Sequence, residues 1–127
     1  MNIGAVIRLR AEDIRNPKIK KFIIVGSTNA SFAIIFINSN IQPQNLGQLQ
    51  GLQLPLSTDT CPFLDHNSYA DCSDVRERDK SQLNNILQKE PGRKEGDIPA
   101  DVLKKIIEII KKAKTLSAYL KETYFKE

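Results

Sequence analysis

The chain has 127 residues, a formal net charge of +4 and a hydrophobic fraction of 40%. This length suits a single domain with one modest core, and the hydrophobic fraction excludes a disordered chain. No apolar stretch approaches the roughly 20 residues that a membrane helix requires, and the first residues lack the basic flank and long apolar segment of a signal peptide. The sequence therefore predicts one cytoplasmic domain without a membrane partner.

The positive charge favours an anionic partner such as nucleic acid. Much of the excess lies in lysines of one C-terminal segment, so a solvated helix face is the alternative explanation. The chain has a single histidine, His66, and two cysteines, Cys61 and Cys72, that are eleven positions apart. This spacing is not typical of a metal site, and without a secretion signal we expect two free thiols, no metal and no cofactor.

Short apolar runs, β-branched residues and stretches of apolar–polar alternation predict six strands in the first part of the chain. They cover residues 3–10, 20–26, 31–38, 52–56, 68–72 and 74–79. The second and third strands are joined by a short connection and should form a hairpin. Residues 38–51 are rich in amides and poor in apolar side chains, which indicates a long loop of the kind that often carries function.

Two helices should follow the strands. The first covers residues 81–88, and the second begins near Pro99 with Asp97 as its cap and continues to residue 120. The second helix has a wide apolar stripe that can pack on a sheet. We therefore predict an α+β protein of mainly β structure, a small SH3-like β-barrel with a short helix and a C-terminal helix. An open α+β sheet is the alternative.

Four segments resemble the PemK/MazF family of toxins from type II toxin–antitoxin systems. They are Gly4-x-Val6-Ile7, the strand at residues 20–25, the end of the third strand at residues 37–41, and residues 68–83 with the pattern Val75-Arg76-x-x-Asp79-x-x-x-Leu83. A helix at residues 100–116 also lies where the family has one. The resemblance implies a single domain over residues 1–127, with an extension after about residue 116.

The resemblance also implies an activity. Family members cut single-stranded RNA without a metal, by attack of the 2′-hydroxyl on the neighbouring phosphate, and are neutralised by an antitoxin protein. By position in the motifs, the catalytic residues would be Lys21, Asn38, Ser39 and Arg76. Lys20, Arg78 and His66 would bind RNA. A homodimer is expected.

The chain departs from the family at three positions. Lys21 stands where the family has arginine, Phe22 where it has proline, and Ala5 where it has an acid. Lysine supplies a charge but not the planar, bidentate fork of arginine. The alternative function is therefore a catalytically impaired module that binds nucleic acid or protein on the same fold. A third hypothesis is an interaction protein that docks through residues 99–120.

Each site residue also has an ordinary explanation. Lys21 would be a lysine at the start of a strand, and Asn38 with Ser39 would end a strand and begin a turn. Arg76 and Arg78 should share one strand face, where they either grip the RNA backbone or pair with neighbouring acids such as Glu77 and Asp79. His66 would be either a general base or a plain surface histidine.

Overall fold

The computed structural model describes residues 1–39 and 51–126. Six strands follow the predicted order, and their bounds are β1 (Ala5–Ala11), β2 (Lys18–Ser27), β3 (Ser31–Asn38), β4 (Gln53–Leu56), β5 (Ser68–Asp71) and β6 (Arg76–Asp79). A seventh strand, β7 (Lys94–Asp97), lies where we expected the approach to the last helix. Most of the predicted loop at residues 38–51 lies outside the described residues.

The strands form one seven-stranded sheet in the order β4-β5-β3-β2-β1-β7, and β6 also pairs with β3. Every described pairing is antiparallel. The register shifts between Ile24 and Gly26 and again between Val6 and Ile7. Such irregularities bend a strand and increase its twist. The fold is therefore α+β, with a curled antiparallel sheet that forms half a barrel.

The two central strands, β2 and β3, bury side chains on both faces of the sheet. On one face, Ile23, Val25 and Ile35 pack in the same cluster as Ile106 and Ile110 from the long helix. On the other face, Phe22, Phe32 and Phe36 pack with Leu83 from the short helix. Successive residues of a strand point to opposite faces, so each strand contributes to both clusters. We call these the long-helix face and the short-helix face.

The two cysteines lie in the core of the long-helix face. Cys61 and Cys72 are buried free thiols, as predicted. Burial raises the pKa of both thiols, and that of Cys72 reaches about 12. A thiol in such surroundings is an inert packing group rather than a nucleophile.

The short helix begins one residue before the predicted position. This helix, α1 (Lys80–Lys89), is capped by Asp79, whose carboxylate accepts a hydrogen bond of 2.9 Å from the amide of Gln82. A carboxylate at this position satisfies one of the unpaired amides of the first turn. A 3-10 turn (Pro91–Arg93) ends the segment and leads into β7.

The predicted C-terminal helix is wrong in two respects. Asp97 does not cap it, because Asp97 belongs to β7, and α2 (Ala100–Lys112) begins after Pro99 without a side-chain cap. The helix also ends at Lys112, since Ala113 takes an extended conformation. Ser117 then caps a separate helix, α3 (Ala118–Tyr124), by accepting the amide of Leu120 at 3.1 Å. No helix in the described ranges is long and apolar enough to cross a membrane.

The segment predicted as an extension packs back onto the sheet. Phe125 is only 4% exposed, and the Tyr124 hydroxyl donates to the Glu77 carboxylate on β6 at 2.6 Å. Tyr124 also shares a hydrogen bond with the hydroxyl of Ser31. Gly26 allows this close approach, because a Cβ at that position would lie 2.9 Å from the Tyr124 Cβ. The segment after residue 116 therefore contributes Phe125 to the core and packs against the sheet through Tyr124.

The Tyr124 contact should make stability fall at high pH. Burial and the hydrogen bond to Glu77 raise the pKa of Tyr124 from 10.0 to about 12. A raised pKa means that the folded state favours the neutral phenol, so this contribution is complete below pH 10 and is lost as the pH rises towards 12. Tyr124→Phe should lower the unfolding free energy at neutral pH by about 1 kcal/mol and should flatten its decline above pH 10.

The measurement is urea unfolding at several pH values, with tyrosinate absorbance to follow ionisation. Tyr69→Phe, outside this cluster, is the matched control and should keep the wild-type decline. An equally steep decline in the Tyr124→Phe variant would show that the contact does not control alkaline stability.

Candidate functional site

The alternation of β2 places Lys20 and Lys21 on opposite faces of the sheet. Lys20 lies on the short-helix face, where its ammonium hydrogen-bonds the side-chain oxygen of Asn38 and lies 5.0 Å from the centroid of Phe36. Lys21 lies on the long-helix face, directly opposite Ile37 of β3. Burial, together with the nearby charges of Lys18 and Arg76, lowers the pKa of Lys20.

A polar cavity of about 530 Å³ opens where the ends of β1, β2 and β3 meet the segment before β5. Five of the seven predicted site residues line it, namely Lys20, Lys21, Asn38, Ser39 and His66. Arg8, Lys18, Asp65 and Ser68 also contribute to the wall. Four lysine and arginine side chains thus face one carboxylate, which gives the cavity a net positive charge. We call this cavity the strand-end cavity.

The pairing of β5 with β3 explains why His66 reaches this place. Ala70 and Tyr69 pair with Ile37 and Asn38 at the end of β3, so the residues just before β5 lie over the same strand end. Ser68 fixes the local backbone because its hydroxyl donates to the His66 carbonyl at 3.0 Å. The imidazole of His66 is exposed. His66 therefore contributes an exposed imidazole to the wall of a cationic cavity.

Lys21 is held by two acids at the cavity wall. Its ammonium lies 3.2 Å from Glu95 Oε1 on β7 and 3.8 Å from Asp65 Oδ2, and it donates to the Phe63 carbonyl at 3.1 Å. Glu95 Oε1 is buried and accepts no hydrogen bond among the described residues, so its ion pair with Lys21 offsets its charge. The Lys21 side chain is 16% exposed. An entering anion would therefore compete with Glu95 for this cation.

The sequence did not point to Glu95 or Arg8. Glu95 belongs to β7, a four-residue strand with the sequence Lys-Glu-Gly-Asp that has no apolar alternation. Arg8 lies directly opposite Lys21 in the β1–β2 pairing. Arg8 and Arg10 alternate with apolar residues in β1, and this pattern places both arginines on one face of the strand. The pattern could have identified Arg8 as a candidate site residue.

Arg76 and Arg78 do not reach the strand-end cavity. They pair with Ile34 and Phe32 near the start of β3, whereas Lys21 pairs near its end. Both arginines lie on the short-helix face, 5.4 and 5.8 Å from the centroid of Phe36. The four predicted catalytic residues therefore do not converge, because Arg76 and Lys21 lie on opposite faces of the sheet.

The two arginines are paired with acids other than the predicted Glu77 and Asp79. Arg76 Nη2 contacts Asp74 Oδ2 at 2.9 Å. Arg78 forms a bidentate pair with Asp13, at 2.7 and 2.8 Å. These contacts connect the β1–β2 loop to β6. Their geometry is that of a structural ion-pair cluster that covers part of the short-helix face.

The described residues contain no group of three or more histidine, cysteine or acidic side chains that could hold a metal ion. Comparison of the sequence with protein-family models and with curated proteins found no match. The site offers a cationic cavity with one imidazole, that of His66, and two hydroxyls, those of Ser39 and Ser68, in its wall.

Asp13 should contribute stability that disappears in acid. Burial raises the pKa of Asp13, but hydrogen bonds from Arg78 and the charges of Arg78 and Arg76 together lower it below its ordinary value of 3.8. A lowered pKa means that the folded state favours the carboxylate. The contribution is therefore present above pH 3.8 and is lost as the pH falls through the lower, folded-state value.

Asp13→Asn should unfold at lower urea concentration at pH 6 and should lose less stability than the wild type between pH 5 and pH 2. Chemical unfolding followed by circular dichroism measures both effects. Asp59→Asn replaces an exposed acid away from this cluster and serves as the control. A parallel acid response in the Asp13→Asn and wild-type proteins would refute the structural role of the pair.

Proposed function

We propose that the chain is a toxin-like, metal-independent endoribonuclease of the PemK/MazF type that binds single-stranded RNA in the strand-end cavity. The observation that supports this most is the gathering of Lys20, Lys21, Asn38, Ser39 and His66 around one positively charged cavity. Cationic side chains at such a site neutralise the RNA backbone. We also propose that the fold is an SH3-like barrel, in which the curled sheet is one half of the barrel.

Cleavage requires a base, a charge stabiliser and an acid. The neutral imidazole of His66 accepts the proton of the RNA 2′-hydroxyl, and the resulting alkoxide attacks the adjacent phosphorus. The ammonium of Lys21, with the Ser39 hydroxyl, stabilises the negative charge that accumulates on the phosphoryl oxygens. The bond to the 5′-oxygen breaks, this oxygen takes a proton from a water molecule, and the His66 imidazolium returns its proton to the solvent. The products are a 2′,3′-cyclic phosphate and a 5′-hydroxyl.

The other residues of the cavity bind rather than react. Arg8, Lys18 and Lys20 supply backbone contacts to the nucleotides on either side. The side-chain oxygen of Asn38 is already held by Lys20, so Asn38 acts through the position of that lysine. Arg76 and Arg78 have no part in this mechanism. A homodimer, an antitoxin protein as inhibitor and a cytoplasmic location complete the proposal.

One contact favours the second candidate, a nucleic-acid-binding module without cleavage. Lys21 is neutralised by Glu95 at 3.2 Å and lacks the forked geometry of arginine. If the ion pair persists when RNA is bound, Lys21 cannot stabilise the transition state. The two functions share a binding site and differ only in whether the phosphodiester bond breaks.

Cleavage of a labelled single-stranded RNA in the presence of EDTA tests the enzyme. We expect a 2′,3′-cyclic phosphate product, and a single 2′-deoxy nucleotide at the cleaved position should block the reaction. His66→Gln and Lys21→Ala should each lower kcat by about 10²-fold or more, as expected for loss of acid–base or electrostatic catalysis. Lys114→Ala, on an exposed turn away from the cavity, should cleave as the wild type does.

Two results would contradict the enzyme. Wild-type protein that binds this RNA but leaves it intact would favour the binding module. Cleavage that survives both His66→Gln and Lys21→Ala would assign the activity to other residues or to a contaminant.

Removal of the Glu95 charge should strengthen RNA binding. Glu95→Gln releases Lys21 from its ion pair, so one more cation becomes available to a phosphate. The slope of log K against log salt should steepen by about 0.7, the value for one added contact to a single strand. Fluorescence anisotropy with labelled RNA over a salt series measures this change.

Glu90→Gln is the matched control, because Glu90 forms an exposed ion pair with Arg93. It should leave both affinity and slope unchanged. An unchanged slope in the Glu95→Gln variant would mean that Lys21 does not face the bound RNA.

A further inference from the structure

A second cavity, of about 830 Å³, lies between α2 and α3 and shares no lining residue with the strand-end cavity. Leu103, Ile107 and Phe125 form its apolar floor. It exists because the predicted single helix breaks at residues 113–117, so that α3 turns back beside α2. We call this cavity the helix groove.

The rim of the helix groove is strongly basic. Five lysines line it, Lys104, Lys111, Lys112, Lys121 and Lys126, together with the two acids Glu108 and Glu122. Glu122 pairs with Lys126 at 3.7 Å, and both side chains are about 70% exposed. An exposed pair of this kind is weak and exchanges readily for a better partner. The groove therefore combines an apolar floor with a net charge of +3 at its edge.

This combination discriminates among occupants. A nucleic acid would place phosphates beside Glu108 and Glu122. It would also find no exposed aromatic ring in the floor on which bases stack, because Phe125 is buried. Tyr119, the exposed tyrosine of α3, is directed to Glu77 instead. A second copy of the chain would bring an equally basic rim against this one, and like charges disfavour that contact.

We propose that the helix groove binds an acidic amphipathic helix of a separate protein. Apolar side chains spaced at i, i+3 or i+4 and i+7 would seat on Leu103, Ile107 and Phe125, as in other helix-in-groove complexes. Carboxylates on the flanks of that helix would face Lys104, Lys112 and Lys121. The apolar contacts supply the affinity, and the charges select the partner and its orientation.

The proposal is independent of RNA cleavage, and its test uses binding alone. Helical peptides from a display library are selected on the full chain. We expect the enriched peptides to carry net negative charge and one apolar stripe. An enriched peptide is then synthesised, and its affinity is measured by fluorescence anisotropy at low and high salt.

The decisive variant is the triple change Lys104→Glu, Lys112→Glu and Lys121→Glu, at three exposed positions of the rim. It should weaken the peptide by about tenfold or more and should gain affinity for the same peptide with lysine in place of glutamate. Lys89→Glu, Lys105→Glu and Lys114→Glu together form the matched control, since these lysines do not line the groove. The control should change affinity by less than about twofold. Circular dichroism verifies that each protein is folded. If the triple variant does not fold, the single variant Lys112→Glu is tested in its place.

Several outcomes would overturn the proposal. They are a library that enriches no peptide, enriched peptides without negative charge, or equal losses in the groove and control variants. Displacement of the peptide by single-stranded RNA would assign the groove to nucleic acid. A dimer in sedimentation experiments that the groove variant dissociates would assign it to a second copy of the chain.

Discussion

The structure depends on two central strands whose side chains are buried on both faces. Strands β2 and β3 lie in the middle of the sheet and are covered on one side by α2 and on the other by α1. A charged residue cannot replace an apolar one within these strands without the loss of burial on one face. Polar and charged side chains are therefore confined to the strand ends, where Lys20, Lys21, Asn38 and Ser39 lie. The location of the candidate site follows from the location of the core.

The same constraint divides the cations into two groups with different surroundings. On the short-helix face, Arg76 and Arg78 are held by Asp74 and Asp13 above the ring of Phe36. On the long-helix face, Lys21 is held by the poorly exposed Glu95. A partly buried pair of this kind gains little net stability, because desolvation offsets much of its attraction. The ion pair with Glu95 fixes the position of the Lys21 ammonium beside the strand-end cavity. A binding site for an anion requires a cation in a fixed position.

The sequence was sufficient for the parts of the fold that rest on local rules. Short runs rich in apolar residues located β1 to β6, and the predicted helix over residues 81–88 lies within one residue of α1 at either end. The sequence was insufficient for the elements whose position depends on contacts between distant parts of the chain. Strand β7 has no apolar pattern and exists because it pairs with the edge of β1. The apolar stripe of α2 continues past Lys112, so periodicity alone did not reveal the break at residues 113–117.

The candidate site was predictable to a similar extent. The motifs named five residues that line one cavity. They gave no information on which carboxylate pairs with which lysine or arginine. The Arg78–Asp13 pair joins residues 65 positions apart, and Glu95 reaches Lys21 only through a strand that the sequence conceals. The separation of Arg76 from Lys21 followed from the pairing of β6 with the first half of β3, a register that no local pattern specifies.

The return of α3 onto β6 has a consequence for the resistance of the protein to proteases. Phe125 is buried in the core, and Tyr124 lies directly on Gly26. Loss of α3 would open the core at Phe125 and would deprive Glu77 of both its tyrosine donors. A proteolytic cut before α3 would therefore weaken the sheet as well as remove a helix.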